Sequence, residues 1–237
     1  MNKSKLLNFI GKYNLGGTVE QVRITSKDGK LLTSFCPEDR SILGFVAVTD
    51  FGMEDGVFGV YNTSTMKQML GALQEDLTVA FERKGKKIVA LNCYDDSIDA
   101  KIMLADLDII PPAPPQKDPP VADISIPIDS IFIDKFIKCK NALPESRIMA
   151  FTHENDKMNL VINYSDHNSD SITINLDATY DDAWEPMKFN SATFKEILIA
   201  NKDCESGKIE LSLQGLMTIY FKTPTTQTKY LLVMLQD

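Results

Sequence analysis

Two ten-residue stretches constrain the fold of this chain more than any other feature. YNTSTMKQML at residues 61–70 and FNSATFKEIL at residues 189–198 run through the same order of side-chain types: aromatic, Asn, hydroxyl, small, Thr, large apolar, Lys, amide or acid, apolar, Leu. Each has the mechanics of a strand running into a helix. The aromatic closes the strand, Asn and hydroxyl side chains accept from the free N–H groups of the first turn, and an apolar set then faces a core. That set is Met66, Met69, Leu70 and Leu73 in the first copy, with Phe194, Ile197 and Leu198 in the same phase in the second.

Between the two copies the chain breaks at LDIIPPAPPQKDPPVAD, residues 107–123, which holds six of the eleven prolines. Such a run continues neither a helix nor a strand ladder and favours an extended, semi-rigid connector. The expected division is a first domain over 1–108, a connector over 109–123 and a second domain over 124–237. Each half opens on an amphipathic helix pattern, Leu6, Phe9, Ile10 and Tyr13 in one and Phe132, Phe136, Cys139 and Leu143 in the other. Strand-like stretches follow on both sides of each decapeptide, among them FVAVTDF, LTVAFE and KIVALN, then SITINLDATY, KIELSLQ, LMTIYFKT and TKYLLVML. The order helix, strands, helix, strands therefore occurs twice. It predicts an α+β fold of two similar domains, each with two helices packed on antiparallel sheets, related by internal duplication.

Composition excludes several classes of function. Apolar residues make up 43% of the chain but come in runs far shorter than the roughly 18 needed to cross a bilayer, so no membrane segment is expected. MNKSKLLNFIGKYN lacks the continuous apolar stretch and cleavage site of a signal peptide and reads as the first helix of a cytoplasmic protein. Cys36, Cys93, Cys139 and Cys204 form no C-x-x-C pair, which points to reduced thiols rather than a zinc or redox site. Only His153 and His167 are available as near-neutral bases, both in polar stretches, and no G-x-S-x-G, Walker A or H-E-x-x-H pattern occurs. No enzyme, cofactor or metal site is expected. Asp95, Asp96 and Asp99 are a candidate cluster for a hard cation such as Mg²⁺, set against the commoner role of solvated loop acids. ERKGKK at 82–87 spans a hairpin turn around Gly85, a solvated tip or, alternatively, a basic contact for a partner.

The basic residues are placed less evenly than the acidic ones. On helical wheels at about 100° per residue, Lys5 and Lys12 share one flank of the first helix, and Lys135 and Lys138 the corresponding flank of the third. Lys67 and Lys195 match across the decapeptides, with Lys202 further along where the first half has Gln74. Acids gather in loops and strand ends instead: Glu54, Asp55, Asp95, Asp96, Asp166, Asp170, Asp181 and Asp182. A net charge of −8 argues against a generally nucleic-acid-binding surface, yet a chain that separates its charges in this way suits an anionic partner met at one face only.

The decapeptides with Lys67 and Lys195, the segment KIMLADLDII running into the connector and the ending KYLLVMLQD together resemble the DNA sliding clamps of the two-domain, tailed-phage type, related to PCNA. KIMLADLDII resembles the last strand of the first PCNA domain, and KYLLVMLQD the final strand and tail. The chain departs from PCNA in opening almost directly on a helix and in its proline-heavy connector, features closer to the phage clamps. The resemblance implies a DNA polymerase processivity factor: a head-to-tail homotrimer closed around double-stranded DNA, partnered by a replicative polymerase and a clamp loader in the host cytoplasm. It implies that Lys5, Lys12, Lys67, Lys135, Lys138, Lys195 and Lys202 face the duplex without reading sequence. It further implies a pocket for partner peptides near the connector and the last strand, with Ile109, Ile110, Leu231, Val233 and Met234 as its residues. Strand edges at Ile98–Leu104 and Ile172–Leu176 fit the ring, since each otherwise stays unpaired. The alternative is a non-enzymatic interaction module of duplicated α+β domains that never encircles DNA.

Overall fold

The computed structural model describes all residues except 1, 116–117, 155–156, 166, 168, 179–183 and 237. The chain divides into two compact units, Met1–Pro115 with Pro224–Thr228, and Gln116–Thr223 with Lys229–Asp237. The division falls inside the proline-rich segment.

In the first unit, helix α1 (Lys3–Asn14) is followed by strands β1 (Val22–Lys27), β2 (Lys30–Phe35), β3 (Ile42–Val48) and β4 (Gly56–Val60). Helix α2 (Thr63–Gly71) and strands β5 (Thr78–Lys84), β6 (Lys87–Tyr94) and β7 (Asp99–Met103) complete it. In the second unit, β8 (Ile124–Ile128) precedes α3 (Ser130–Ala142), β9 (Ile148–Glu154), β10 (Lys157–Ile162), β11 (Ile172–Asn175) and β12 (Met187–Asn190). Then come α4 (Ser191–Ala200), β13 (Ser206–Ser212), β14 (Leu216–Lys222) and β15 (Thr226–Val233). The spatial order repeats as well as the chain order. In the first unit the strands run β4-β1-β2-β3 and β5-β6-β7; in the second they run β12-β9-β10-β11 and β13-β14-β15, with β8 added beside β13. Sheet for sheet, the second unit is a second copy of the first, and every pairing with a determined register is antiparallel.

The decapeptide is written twice because it performs the same local task twice. Asn62 caps α2 by accepting from the Thr65 N–H at 2.8 Å, and Asn190 caps α4 by accepting from Ala192 and Thr193 at 3.0 Å each. The next residue, Thr63 or Ser191, is fully buried in both units. Its hydroxyl donates to a carbonyl in the segment after the preceding helix: Thr63 Oγ1 to Glu20 O at 2.9 Å, Ser191 Oγ to Ser146 O at 2.8 Å. Asn starts the helix, and the buried hydroxyl ties that start to the chain leaving its partner helix. The helices then pack in pairs through Met66 and Leu70 or Phe194 and Leu198, all at most 1% exposed.

The expected face of α1 is the observed one, with Leu6, Phe9, Ile10 and Tyr13 all buried. That of α3 is not. Phe132, Cys139 and Leu143 are only half-buried, and the core residues besides Phe136 are Ile133, Ile137 and Lys140. This set aligns with α1 residue for residue, Lys140 standing where Tyr13 stands. A lysine is tolerated there because its ammonium donates to Leu143 O at 3.2 Å and Pro144 O at 2.8 Å, meeting carbonyls freed at the helix end. Burial pushes its pKa down, helped by the nearby Lys195 cation.

Candidate functional site

The lysines expected to face an anionic partner differ widely in what their ammonium groups do. Lys12 is 1% exposed, so it belongs to the interior of the first unit rather than to the basic flank. Lys5 is half-buried; its Nζ donates to Asp50 O at 2.5 Å and lies 5.8 Å from the centre of the Phe51 ring. Lys67 Nζ reaches Asn14 Oδ1 at 3.4 Å. Asn14 in turn donates to Val19 O, and its neighbour Glu20 receives the N–H and hydroxyl of Ser64. Burial alone would raise the Glu20 pKa, but the donors from Ser64 and Asn14 outweigh it and hold the carboxyl low. In the second unit Lys135, Lys138 and Lys202 are exposed and Lys195 is half-buried; Lys202 lies 3.3 Å from Asp134.

The residues expected to form a peptide pocket separate by unit. In the first, Ile109 is 58% exposed, whereas Ile110 is 1% exposed and so is core rather than lining. The Ile110 side chain lies over Gly59, where a Cβ would come within 2.7 Å of it and 3.0 Å of the Ala105 carbonyl. Arg23 holds this stretch from below: Nε donates to Ile110 O and Nη2 to Leu107 O, both at 2.6 Å. In the second unit Val233 is 59% exposed, while Leu231 and Met234 are half-buried. The Met234 N–H donates to Gly215 O at 2.8 Å, fixing the chain beyond β15.

A cleft of about 400 Å³ opens in the first unit beside the start of the proline run. Val22, Phe35, Cys36 and Pro37 line it, with Pro111 and Ala113 along its side. Its residues come from β1, the end of β2 and the chain after β7, a juxtaposition with no counterpart in local sequence pattern.

The outer edges of β7 and β11 carry outward-facing N–H groups. Leu104 N donates to Val89 O, so by antiparallel alternation the N–H groups of Asp99, Lys101 and Met103 point away from β6. Leu176 N donates to Met158 O, and the same alternation turns Thr173 and Asn175 outward from β10. β7 and β11 are each the last strand of their sheet. The edge at β4 is by contrast partly closed, since Ala105 N donates to Gly59 O.

The acidic cluster does not form a cation site. Among the described residues no group of three or more His, Cys, Asp or Glu is arranged to hold a metal. Asp95 instead receives the N–H groups of Gln74 at 2.7 Å, Ser97 at 2.7 Å and Ile98 at 2.9 Å, and the Ser97 hydroxyl at 3.0 Å. These donors, Gln74 first, pull its pKa down to about 2. The group is depressed below its unfolded value of about 3.9, so its stabilising effect is complete above that value and is lost as pH falls towards 2. Melting of Asp95→Asn is therefore expected below wild type at pH 6, with the difference shrinking between pH 4 and pH 2.

The remaining expected features sort simply. ERKGKK is the β5–β6 hairpin tip, Gly85 taking φ +63, with Arg83 near Glu54 and Lys87 paired to Asp106. His153 lies at the end of β9, half-buried, and His167 is exposed. Asp166, Asp181 and Asp182 lie outside the described residues. No described helix is long and apolar enough to cross a membrane.

Two copies of one α+β unit, each with two helices on antiparallel sheets, make this the fold of the PCNA-type sliding clamps. Among solved structures, PCNA of A. fulgidus bound to the C-terminal region of FEN-1 is 15% identical, with a TM-score of 0.77 over 100% of this chain and 97% of that one. The proliferating cell nuclear antigen of Entamoeba histolytica is 13% identical, with a TM-score of 0.75 over 99% and 96%. A PCNA2–PCNA3 complex from Sulfolobus tokodaii is 10% identical, with a TM-score of 0.71 over 99% and 97%. No protein-family model and no curated protein sequence matches the chain.

Proposed function

We propose that this protein is a non-enzymatic DNA sliding clamp: a homotrimeric ring that encircles duplex DNA and tethers a replicative polymerase. The observation that carries this reading is that β7 in the first unit and β11 in the second each turn a row of N–H groups outward from the end of a sheet, on a chain whose fold matches PCNA along its whole length. Edges of this kind invite strand addition. One edge in each of two different units makes a head-to-tail contact, which closes into a ring if the rotation suits. Weak phosphate contacts from the lysine-bearing helices then suffice, because topology rather than affinity keeps a ring on DNA.

The structure of A. fulgidus PCNA holds the C-terminal region of FEN-1. By analogy, short peptides from a polymerase and a clamp loader dock here on apolar surface: in the first unit Ile109 and the cleft beside Pro111, in the second the exposed Val233 and Leu235. The tailed-phage type is favoured by the proline-heavy segment. The assembly is tested by native mass: three chains of 26.5 kDa give a species near 80 kDa. A chain that stays monomeric at high concentration favours an interaction module instead.

A further inference from the structure

Counted along the sequence, the first unit has the more basic helices. α1 and α2 carry Lys3, Lys5, Lys12 and Lys67 and no acid, whereas α3 and α4 carry Lys135, Lys138, Lys140 and Lys195 against Asp134 and Glu196. The structure reverses that ranking. Every lysine on the first unit's helices is either buried or held at its ammonium by an acceptor within the protein. Lys3 Nζ donates to Leu73 O at 2.5 Å, joining α1 to the chain just after α2, and Lys5 Nζ donates to Asp50 O and lies 5.8 Å from the centre of the Phe51 ring. Lys12 is buried, and Lys67 bonds Asn14, itself tied to the chain after α1. Apart from these tethered lysines, the fully exposed positions of α1 and α2 are neutral: Ser4, Asn8, Thr65, Gln68 and Gly71.

The second unit is built the other way. Lys140 is its one helical lysine spent on structure, as the C-terminal cap of α3. Lys135 and Lys138 are exposed, and neither has a hydrogen-bond or ion-pair partner among the described residues. Three residues apart on one helix, they project from the same face. A phosphate that recruits them displaces only water. One that recruits Lys3 or Lys5 must first break a charge-assisted bond to a carbonyl, and Lys12 must leave the core.

On the sliding-clamp reading above, we propose that the second unit makes most of the phosphate contacts, through Lys135 and Lys138, while the first unit's lysines serve to hold α1 and α2 in place. Basic sectors then recur once per protomer around the ring rather than twice. Neutral stretches between them lower the barrier to sliding, because fewer contacts must break together.

The test uses the full-length protein and equilibrium binding to a short blunt duplex, onto which a ring threads from the ends, across a series of salt concentrations. Lys135→Ala with Lys138→Ala is expected to weaken binding about tenfold at low salt and to flatten the log–log salt dependence by about one unit or more. Lys135→Arg with Lys138→Arg restores both. Lys5→Ala with Lys67→Ala is expected to leave the salt slope unchanged and to lower the melting temperature. The division of labour is overturned if the Lys5 and Lys67 pair flattens the slope as much as the Lys135 and Lys138 pair. Wild-type retention on nicked circular DNA is scored separately: its failure removes the clamp reading itself, whereas equal slopes with retention intact overturn only the division between units.

Discussion

Lys101→Pro is expected to convert the proposed trimer, near 80 kDa, to the 26.5 kDa chain while leaving the fold intact. Lys101 is the central residue of β7, and its N–H points away from β6. Proline is tolerated on that side of an edge strand because no backbone bond within the protomer is lost. Its side chain gives up one exposed pair with Glu82, which contributes little to stability. A strand added at the β7 edge would lie about 4.8 Å away, where the proline ring takes the place of the missing donor. With ladders only four or five residues long, one lost central bond and one steric block fall on every interface of the ring. Thr173→Pro does the same from the β11 side, its N–H also facing outward. Far-UV circular dichroism and melting should stay close to wild type while native mass falls threefold. A trimer that survives both substitutions would place the interface elsewhere.

Phe136→Ala is expected to have the largest effect on stability, about 3–5 kcal/mol. Phe136 is 0% exposed and meets Phe194 edge-on with ring centres 4.8 Å apart, so the substitution removes the contact joining α3 to α4. At this chain length the melting temperature should fall by roughly 10 °C. Phe132→Ala is the informative comparison. Phe132 is half-buried, so its truncation should cost about 1 kcal/mol or less. Equal losses at the two positions, read from urea midpoints with unchanged slopes, would contradict the observed face of α3.

That face shows where pattern reading stops. α1 was legible because Leu6, Phe9, Ile10 and Tyr13 are bordered by Lys5, Asn8 and Lys12, polar types that confine the apolar stripe to one side. α3 reads SIFIDKFIKCKNA, with Ile131, Phe132, Ile133, Phe136, Ile137 and Cys139 spread around the helix, so two phases fit the same letters. The correct one places a lysine in the core, which periodicity rejects and which only the Leu143 and Pro144 carbonyls make tolerable. Lys12 misleads in the same sense, a polar residue that the helix nonetheless buries.

The duplication and the strand pattern were legible because they rest on local alternation and on turn residues. The cleft beside Pro111 was not, and neither was Arg23, which bonds carbonyls 84 and 87 residues away. Contacts at that separation leave no period in the sequence. For the same reason the tethered and the free lysines look alike in one dimension: what distinguishes Lys5 from Lys135 is a carbonyl 45 residues along the chain.

Retention on DNA of defined topology tests the ring most directly. Protein loaded onto a nicked circular duplex, by a cognate loader or by threading before ligation, is passed through a sizing column in salt high enough to suppress phosphate contacts. The closed-ring account predicts that it elutes with the circle and leaves within the time of the run once a single restriction cut linearises the DNA. Equal retention on circular and linear DNA, or loss from both at the same salt concentration, would show that the protein binds the duplex from outside and would contradict the account.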